Sequence, residues 1–304
     1  MSKTLRAHLA LFIVNALYGA GHLIAKGVMP DFISPAAFIF LRVACAVTFF
    51  WIIYVISGRE KIDRKDLVRF LLCGLFGVAL NQMCFFHGLS LSSSINSGII
   101  MTMNPLMVLL LASIFLKDTL TPKKIVGIAL AATGAIALTL NSGSISQDSM
   151  LGDLLLFINA ISYAVYLIIS KPLTKKYSPL TVITYVFSFG LFFVSIYPPS
   201  ISQFSEIEFS QIPSDVWAKI AYVVFGITIT AYLLTLYGLR RLKASATSSY
   251  IYFQPLFVIV FSYLFFYFNF TADYTGAINV FKISSMLLIL GGVWLSTKES
   301  NKND

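Results

Sequence analysis

Ten apolar runs, each of roughly 18 residues or more, follow one another along the 304-residue chain, separated by short charged or Pro/Gly/Ser-rich stretches. Such a run is what one helix needs to cross the hydrocarbon core of a bilayer, where every backbone polar group must be satisfied within the segment. The runs cover 7–28, 34–57, 67–90, 96–116, 121–141, 151–171, 179–199, 216–239, 244–267 and 275–296. Composition agrees: 58% of the residues are apolar and 12% are charged, against roughly a quarter charged in soluble domains. The expectation is an all-α integral membrane protein of ten transmembrane helices, with connections too short for a sizeable soluble catalytic domain. The first run follows Lys3 and Arg6 as a signal peptide would, but it is too long for an h-region, contains Asn15 and His22, and meets no small-residue cleavage site. It is therefore expected to be the first helix.

The charges are ordered along the chain. Lys and Arg number 22 against 13 Asp and Glu, a net +9. Eighteen of the 22 fall at the two ends and in alternate connections: Lys3, Arg6, then Arg59, Lys61, Arg64, Lys65, Arg69, then Lys117, Lys123, Lys124, then Lys171, Lys175, Lys176, then Arg240, Arg241, Lys243, and finally Lys298 and Lys302. The remaining connections carry Asp31, Asp148, Glu206, Glu208, Asp215 and Asp273. Because cytoplasmic loops retain Lys and Arg during insertion, both termini are expected in the cytoplasm and the protein in the plasma membrane. The basic balance then records orientation and calls for no nucleic-acid partner. Cys45, Cys73 and Cys84 are an odd number inside spans, and the three histidines, His8, His22 and His87, have no ligand spacing. No disulfide, metal or cofactor is expected.

The chain also repeats itself. Asn15 to Pro35 aligns without gaps on Asn159 to Pro179, with seven identities in 21 positions, and Gly88 to Leu106 aligns on Gly238 to Leu256, at offsets of 144 and 150. The first match pairs span 1 with span 6 and the second pairs span 4 with span 9. Five spans per half is an odd number, so the halves, 1–142 and 143–304, would enter the membrane in opposite orientations. Inverted repeats of this kind face each other across a site near the bilayer midplane and alternate its exposure. A solute permease follows as the expected function.

The residues in these blocks carry a resemblance. Phe86-His87-Gly88-Leu89, the small-residue run Ser92 to Ser97, Asn104-Pro105-Leu106, Phe115-Leu116-Lys117-Asp118, Leu120-Thr121 and Gly127 to Gly134 form one copy of a pattern. The second copy is Leu236-Tyr237-Gly238-Leu239, Ala244-Ser245-Ala246-Thr247, Gln254-Pro255-Leu256 and Gly291-Gly292. In this order the chain resembles the EamA-type permeases of the drug/metabolite transporter superfamily, and Arg42 matches an arginine that such permeases often carry in span 2. The resemblance implies ten helices, an inverted 5+5 repeat, and movement of amino acids or related metabolites, commonly outward. Asp118 departs from the usual glutamate, 266–273 has no clear equivalent of that block, and span 10 carries an unusual Lys282.

Polar groups inside a span are costly unless they face protein or water, so they are the first candidates for a solute pathway. Asn15, Tyr18 and His22, with Lys26, share one helix face by their spacing, and Asn159, Tyr163 and Tyr166 form the counterpart stripe on span 6. Asn81 and Gln82, Arg42, Asn104, Tyr232, Tyr252 and Gln254 complete the candidate set, while His87 near the outer end reads as a simple hydrogen-bonding residue. Pro105 and Pro255 sit inside spans 4 and 9 and would free the carbonyls of Met101 and Ile251, kinking both helices. Lys26 is expected to snorkel to the outer interface. No glutamate lies in any span and Asp153 is near an outer end, so the embedded charges read as basic, led by Arg42 and Lys282. A basic pocket favours a solute with a carboxylate or phosphate.

Rival readings are an integral-membrane enzyme or a channel. Neither a Gly-x-Ser-x-Gly nor a close His/Asp pair is present for nucleophilic chemistry, and no filter-like loop or charged ring suggests conduction. The expected partners are therefore a small-molecule solute and the lipid bilayer, with pairing into a homodimer left open.

Overall fold

Serine followed by proline starts two of the helices in the same way. The Ser34 hydroxyl accepts the Ala37 N–H at 3.3 Å and the Ser178 hydroxyl accepts the Thr181 N–H at 3.2 Å. Pro35 and Pro179 occupy the first helical position, where a missing N–H costs nothing. These two starts are the ends of the first repeated block.

The structure is a computed structural model that describes residues 3–116, 121–140 and 149–297; among them there is no strand. The main helices are α1 (Lys3–Lys26), α2 (Pro35–Ile56), α3 (Arg64–Leu91), α4 (Ser94–Ile114) and α5 (Pro122–Leu140), then α6 (Met150–Lys176), α7 (Pro179–Ile196), α8 (Ser214–Arg241), α9 (Ala246–Tyr267) and α10 (Val280–Thr297). Among the described residues eight, all but α5 and α10, are long and apolar enough to cross a membrane. The other two are apolar helices at the places of the fifth and tenth expected spans, and they pack mainly on each other. A short helix, Pro198–Ser205, lies between α7 and α8 against α2.

Several boundaries differ from the sequence reading. The tenth run begins later, because Thr275–Ala277 forms a 3-10 turn ahead of Val280. The sixth runs on to Lys176 with Pro172 carried inside the helix. The fourth is interrupted at Thr102 and Met103, and in the ninth a 3-10 stretch, Tyr250–Phe253, precedes the helix Gln254–Tyr267. Lys117, Asp118, Leu120, Asp148, Lys298 and Lys302, and the boundary between halves at 142, lie outside the described residues.

The packing is reciprocal. α1 lies against α8 and α9, while α6 lies against α3 and α4; α2 packs on α7, and α5 on α10. The first helix of the chain therefore packs on late helices, and α6 packs on early ones. α3 and α8 share a further feature, a π-helical stretch at Leu75–Ala79 and at Tyr222–Ala231, a local widening that frees a turn to present side chains. Gly77 in the first stretch faces a side chain of α6. A Cβ at Gly77 would sit 2.3 Å from the ring of Tyr166, itself fully buried. Gly77→Val is accordingly expected to destabilise the folded protein by roughly 1–3 kcal/mol, the usual cost of overpacking, read as a lower thermal midpoint in detergent. A midpoint equal to wild type would show that Tyr166 has room to move.

Candidate functional site

A small cavity forms where α1, α2, α3, α4, α6, α8 and α9 meet. Its polar lining is Tyr18, His22, Arg42, Asn81, Gln82, Asn104, Asn159, Tyr163, Tyr232 and Gln254; Gly21, Phe85, Phe86, Met101, Ile227 and Ile251 complete it. Its volume is about 80 Å³, room for roughly five to eight water molecules. That is the scale of a small metabolite.

Each wall is fixed by the fold. Arg42 on α2 is fully buried; its Nε donates to Thr228 Oγ1 at 2.9 Å, and its guanidinium lies 4.2 Å from the centre of the Phe86 ring. The π-helical stretch explains Thr228: its hydroxyl donates to the Val223 carbonyl, five residues back, at 2.9 Å, and so turns a lone pair to the arginine. Asn81 and Asn159 clasp α3 to α6, each amide donating to the other's backbone carbonyl at 3.3 and 2.7 Å. Gln82 donates to the Tyr232 hydroxyl at 3.3 Å, and Tyr232 donates to the Gly77 carbonyl at 3.1 Å. Gln82 and Tyr232 are 150 residues apart in the chain and touch each other at the cavity.

The helix interruptions reach the same place. Pro105 cannot donate to the Met101 carbonyl, and the Asn104 side chain does so instead at 3.0 Å. Gln254 donates to Asn15 Oδ1 at 3.0 Å, and Asn15 in turn donates to the Leu11 carbonyl at 2.7 Å. Four buried side-chain atoms around the cavity have no hydrogen-bond partner: Arg42 Nη1, Gln82 Oε1, Asn104 Oδ1 and Gln254 Oε1. One is a cationic donor and three are neutral acceptors. Buried polar groups are rarely left so, and an unmet set converging on one hollow is what a bound polar solute would satisfy.

Ten of the thirteen candidate residues thus line one cavity, counted from the lining above. Asn15 lies behind it, reached through Gln254. Tyr166 is elsewhere, packed against Gly77, and Tyr252 also lies off the lining, its hydroxyl buried and unpartnered. His87 turns back on its own helix, 2.9 Å from the Met83 carbonyl. His8, 2.6 Å from the Tyr250 hydroxyl, ties the start of α1 to α9. Phe85, Phe86 and Thr228 were not on the candidate face; an apolar ring gives no polar signal in sequence, and Thr228 is presented only by the π-helical register. Among the described residues no three His, Cys, Asp or Glu side chains gather as a metal site.

Two expectations are corrected at the end of α3. Lys26 does not extend to an interface: its ammonium donates to the carbonyl of Leu89 in the last turn of that helix and to that of Ser92 just beyond it. Lys171 does the same for Leu239 and Leu242 at the end of α8. Free C-terminal carbonyls need partners wherever water is excluded, and a lysine supplies the partner at the end of each of these two helices. The embedded charges are also not all basic. Asp153 is 1% exposed and accepts hydrogen bonds from Ser92 Oγ at 2.5 Å and Asn96 Nδ2 at 3.2 Å. Lys282, buried on α10, donates to Ser93 Oγ at 3.1 Å. On its other side the first turn of α4 meets the cavity, because His22 Nδ1 lies 2.5 Å from Ser97 Oγ and Ser94 donates to the His22 carbonyl.

Comparison with known proteins adds a family. The model of the EamA-like transporter family matches residues 5–140 and 150–298. The chain is similar to the uncharacterized transporter YyaM of Bacillus subtilis, 29% identical over 96% of this chain and 93% of the relative. It is 29% identical to an uncharacterized transporter of Archaeoglobus fulgidus over 74% of this chain and 78% of that one. A WAT1-related protein of Arabidopsis thaliana, At4g30420, is 24% identical over 56% of this chain and 54% of its own length. A solved crystal structure shares the fold, with a TM-score of 0.63 and 18% identity over 99% of both chains.

Proposed function

Because the chain belongs to the EamA-like transporter family and is a multi-pass membrane transporter, we propose that it carries a small zwitterionic metabolite, an amino acid or a close relative, through the central cavity by alternating access. The observation that carries this reading is the set of unpartnered atoms. A carboxylate would meet Arg42 Nη1, and an ammonium group would be received by the amide oxygens of Gln82, Asn104 and Gln254. The charge-assisted bond supplies strength, and the amide oxygens set the orientation. Asn81, Asn159, Tyr18, Tyr163 and His22 shape the rest of the wall. The small volume favours a metabolite over a bulky compound.

Ten spans in an inverted 5+5 arrangement, with halves 1–142 and 143–304, supply the mechanical part of the proposal. It is supported by the reciprocal packing of α1 and α6, by the two lysine-capped helix ends, and by the contact of Gln82 with Tyr232. Helices interrupted near the cavity in both halves are what an alternating site requires. The cluster of Ser92, Ser93, Asn96, Asp153 and Lys282 would close one end. The placement of Lys and Arg supports cytoplasmic termini and a plasma-membrane location with this closure outside, and export is the direction the family resemblance suggests.

Counterflow of radiolabelled amino acids into proteoliposomes tests the reading. Saturable exchange of at least one of them is the expected result. Absence of saturable uptake together with ion conductance would overturn it in favour of a channel.

A further inference from the structure

A second hollow lies between α3 and α6 at the end of the bundle that carries the basic residues. At about 620 Å³ it is far larger than the central cavity and mostly apolar in its lining residues. α3 contributes Lys65, Val68, Arg69 and Leu72, and α6 contributes Val165, Ile168, Ile169 and Pro172. Both sets have the spacing i, i+3, i+4, i+7, one face of a helix, so the hollow is a groove with two helical walls. Its α3 wall interleaves the basic Lys65 and Arg69 with the apolar Val68, 65% exposed, and Leu72.

The charge of this wall is not cancelled locally. Asp66 also lines the groove, but its carboxylate is already held by Lys176 at 2.6 Å and the Tyr177 hydroxyl at 2.8 Å, with Arg69 3.8 Å away. Lys65 and Arg69 therefore leave a positive surplus. The positions 150 residues later are Asp215 and Lys219, which pair with each other at 3.0 Å. The surplus thus belongs to one end of the molecule only. Pro172 adds a polar feature inside the groove, since it withdraws the N–H that the Ile168 carbonyl would accept.

We propose that this groove is a binding site for an anionic phospholipid, its acyl chains along Val68, Leu72, Val165 and Ile169 and its phosphate at Lys65 and Arg69. The proposal needs a membrane-spanning protein and is independent of which solute the central cavity carries. Because the two walls come from different halves and the Asn81–Asn159 clasp lies further along the same helix pair, a bound lipid would brace α3 against α6.

The test uses the purified full-length protein in detergent, with phosphatidylglycerol, phosphatidylcholine and inorganic phosphate as probes, read by thermal unfolding and by native mass spectrometry of retained lipid. Phosphatidylglycerol is expected to be retained and to raise the midpoint, while phosphatidylcholine and inorganic phosphate leave it unchanged. Lys65→Gln and Arg69→Gln should each weaken retention by about fivefold, the effect of one basic residue near an anionic membrane surface. Lys175→Gln, at the same end but off the groove, should not. Val68→Trp keeps the charges and fills the apolar wall, and it should also displace the lipid, which covers the case in which the charge variants fail to fold. Equal retention of both lipids, or a shift with inorganic phosphate equal to that with phosphatidylglycerol, would overturn the proposal.

Discussion

Arg42→Ala is expected to lower the apparent affinity for a carboxylated solute by about 10- to 100-fold, since a hydrogen bond to a charged group contributes roughly 1.5–3 kcal/mol. The fold should survive the change. Thr228 keeps its bond to the Val223 carbonyl when the arginine is gone, and Phe86 loses only the cation above its ring. Arg42→Lys retains the charge without the planar fork, so it should fall between alanine and wild type. Concentration-dependent counterflow gives the affinity, and a thermal melt of the same preparation separates binding from folding. Wild-type affinity in both variants would remove Arg42 from the solute site.

Asp153→Ala should have the largest effect on stability. It leaves the Ser92 hydroxyl and the Asn96 amide without their acceptor in a buried place, and an unmet buried group costs roughly 1–3 kcal/mol. Two such groups approach the lower end of the roughly 5–15 kcal/mol that holds a typical domain folded. Asp153→Asn keeps one side-chain oxygen and should lose less. The measurement is the yield of monodisperse protein and its midpoint in detergent. If alanine and asparagine behave alike and both match wild type, the junction of α3 and α4 is held by other contacts.

The sequence was most legible where lipid imposes a rule. Apolar length located the helices to within a few residues, and Ser-Pro pairs marked two starts because capping is a local interaction. Asn15, Tyr18 and His22 were readable as one face for the same reason. The errors arise where a contact depends on distant chain. Lys26 reads as an interfacial lysine because nothing near it in sequence reveals that the carbonyls of Leu89 and Ser92 need donors. Asp153, three residues into α6, reads as a loop-proximal carboxylate; only packing against Ser92 and Asn96 makes it buried. Tyr166 shares the stripe of Asn159 and Tyr163 by spacing, yet the π-helical stretch brings Gly77 against it and away from the cavity. Backbone irregularities of that kind have no simple residue code.

The packing of α1 on α8 and α9 sets a schedule for synthesis. Asn15 is bonded to Gln254, 239 residues later, and the Leu17 carbonyl accepts from Tyr222, 205 residues later. At about 5–20 residues per second, α1 waits on the order of 10–50 s between emerging from the ribosome and meeting α9. Until then Asn15 and His22 must be sheltered by lipid headgroups, by the insertion machinery, or by α3 and α4, whose bonds to His22 and Lys26 span only 63 to 75 residues. The early contacts of α1 therefore act as a holding position, and a ribosome stalled after α7 would strand that helix with its polar face half covered.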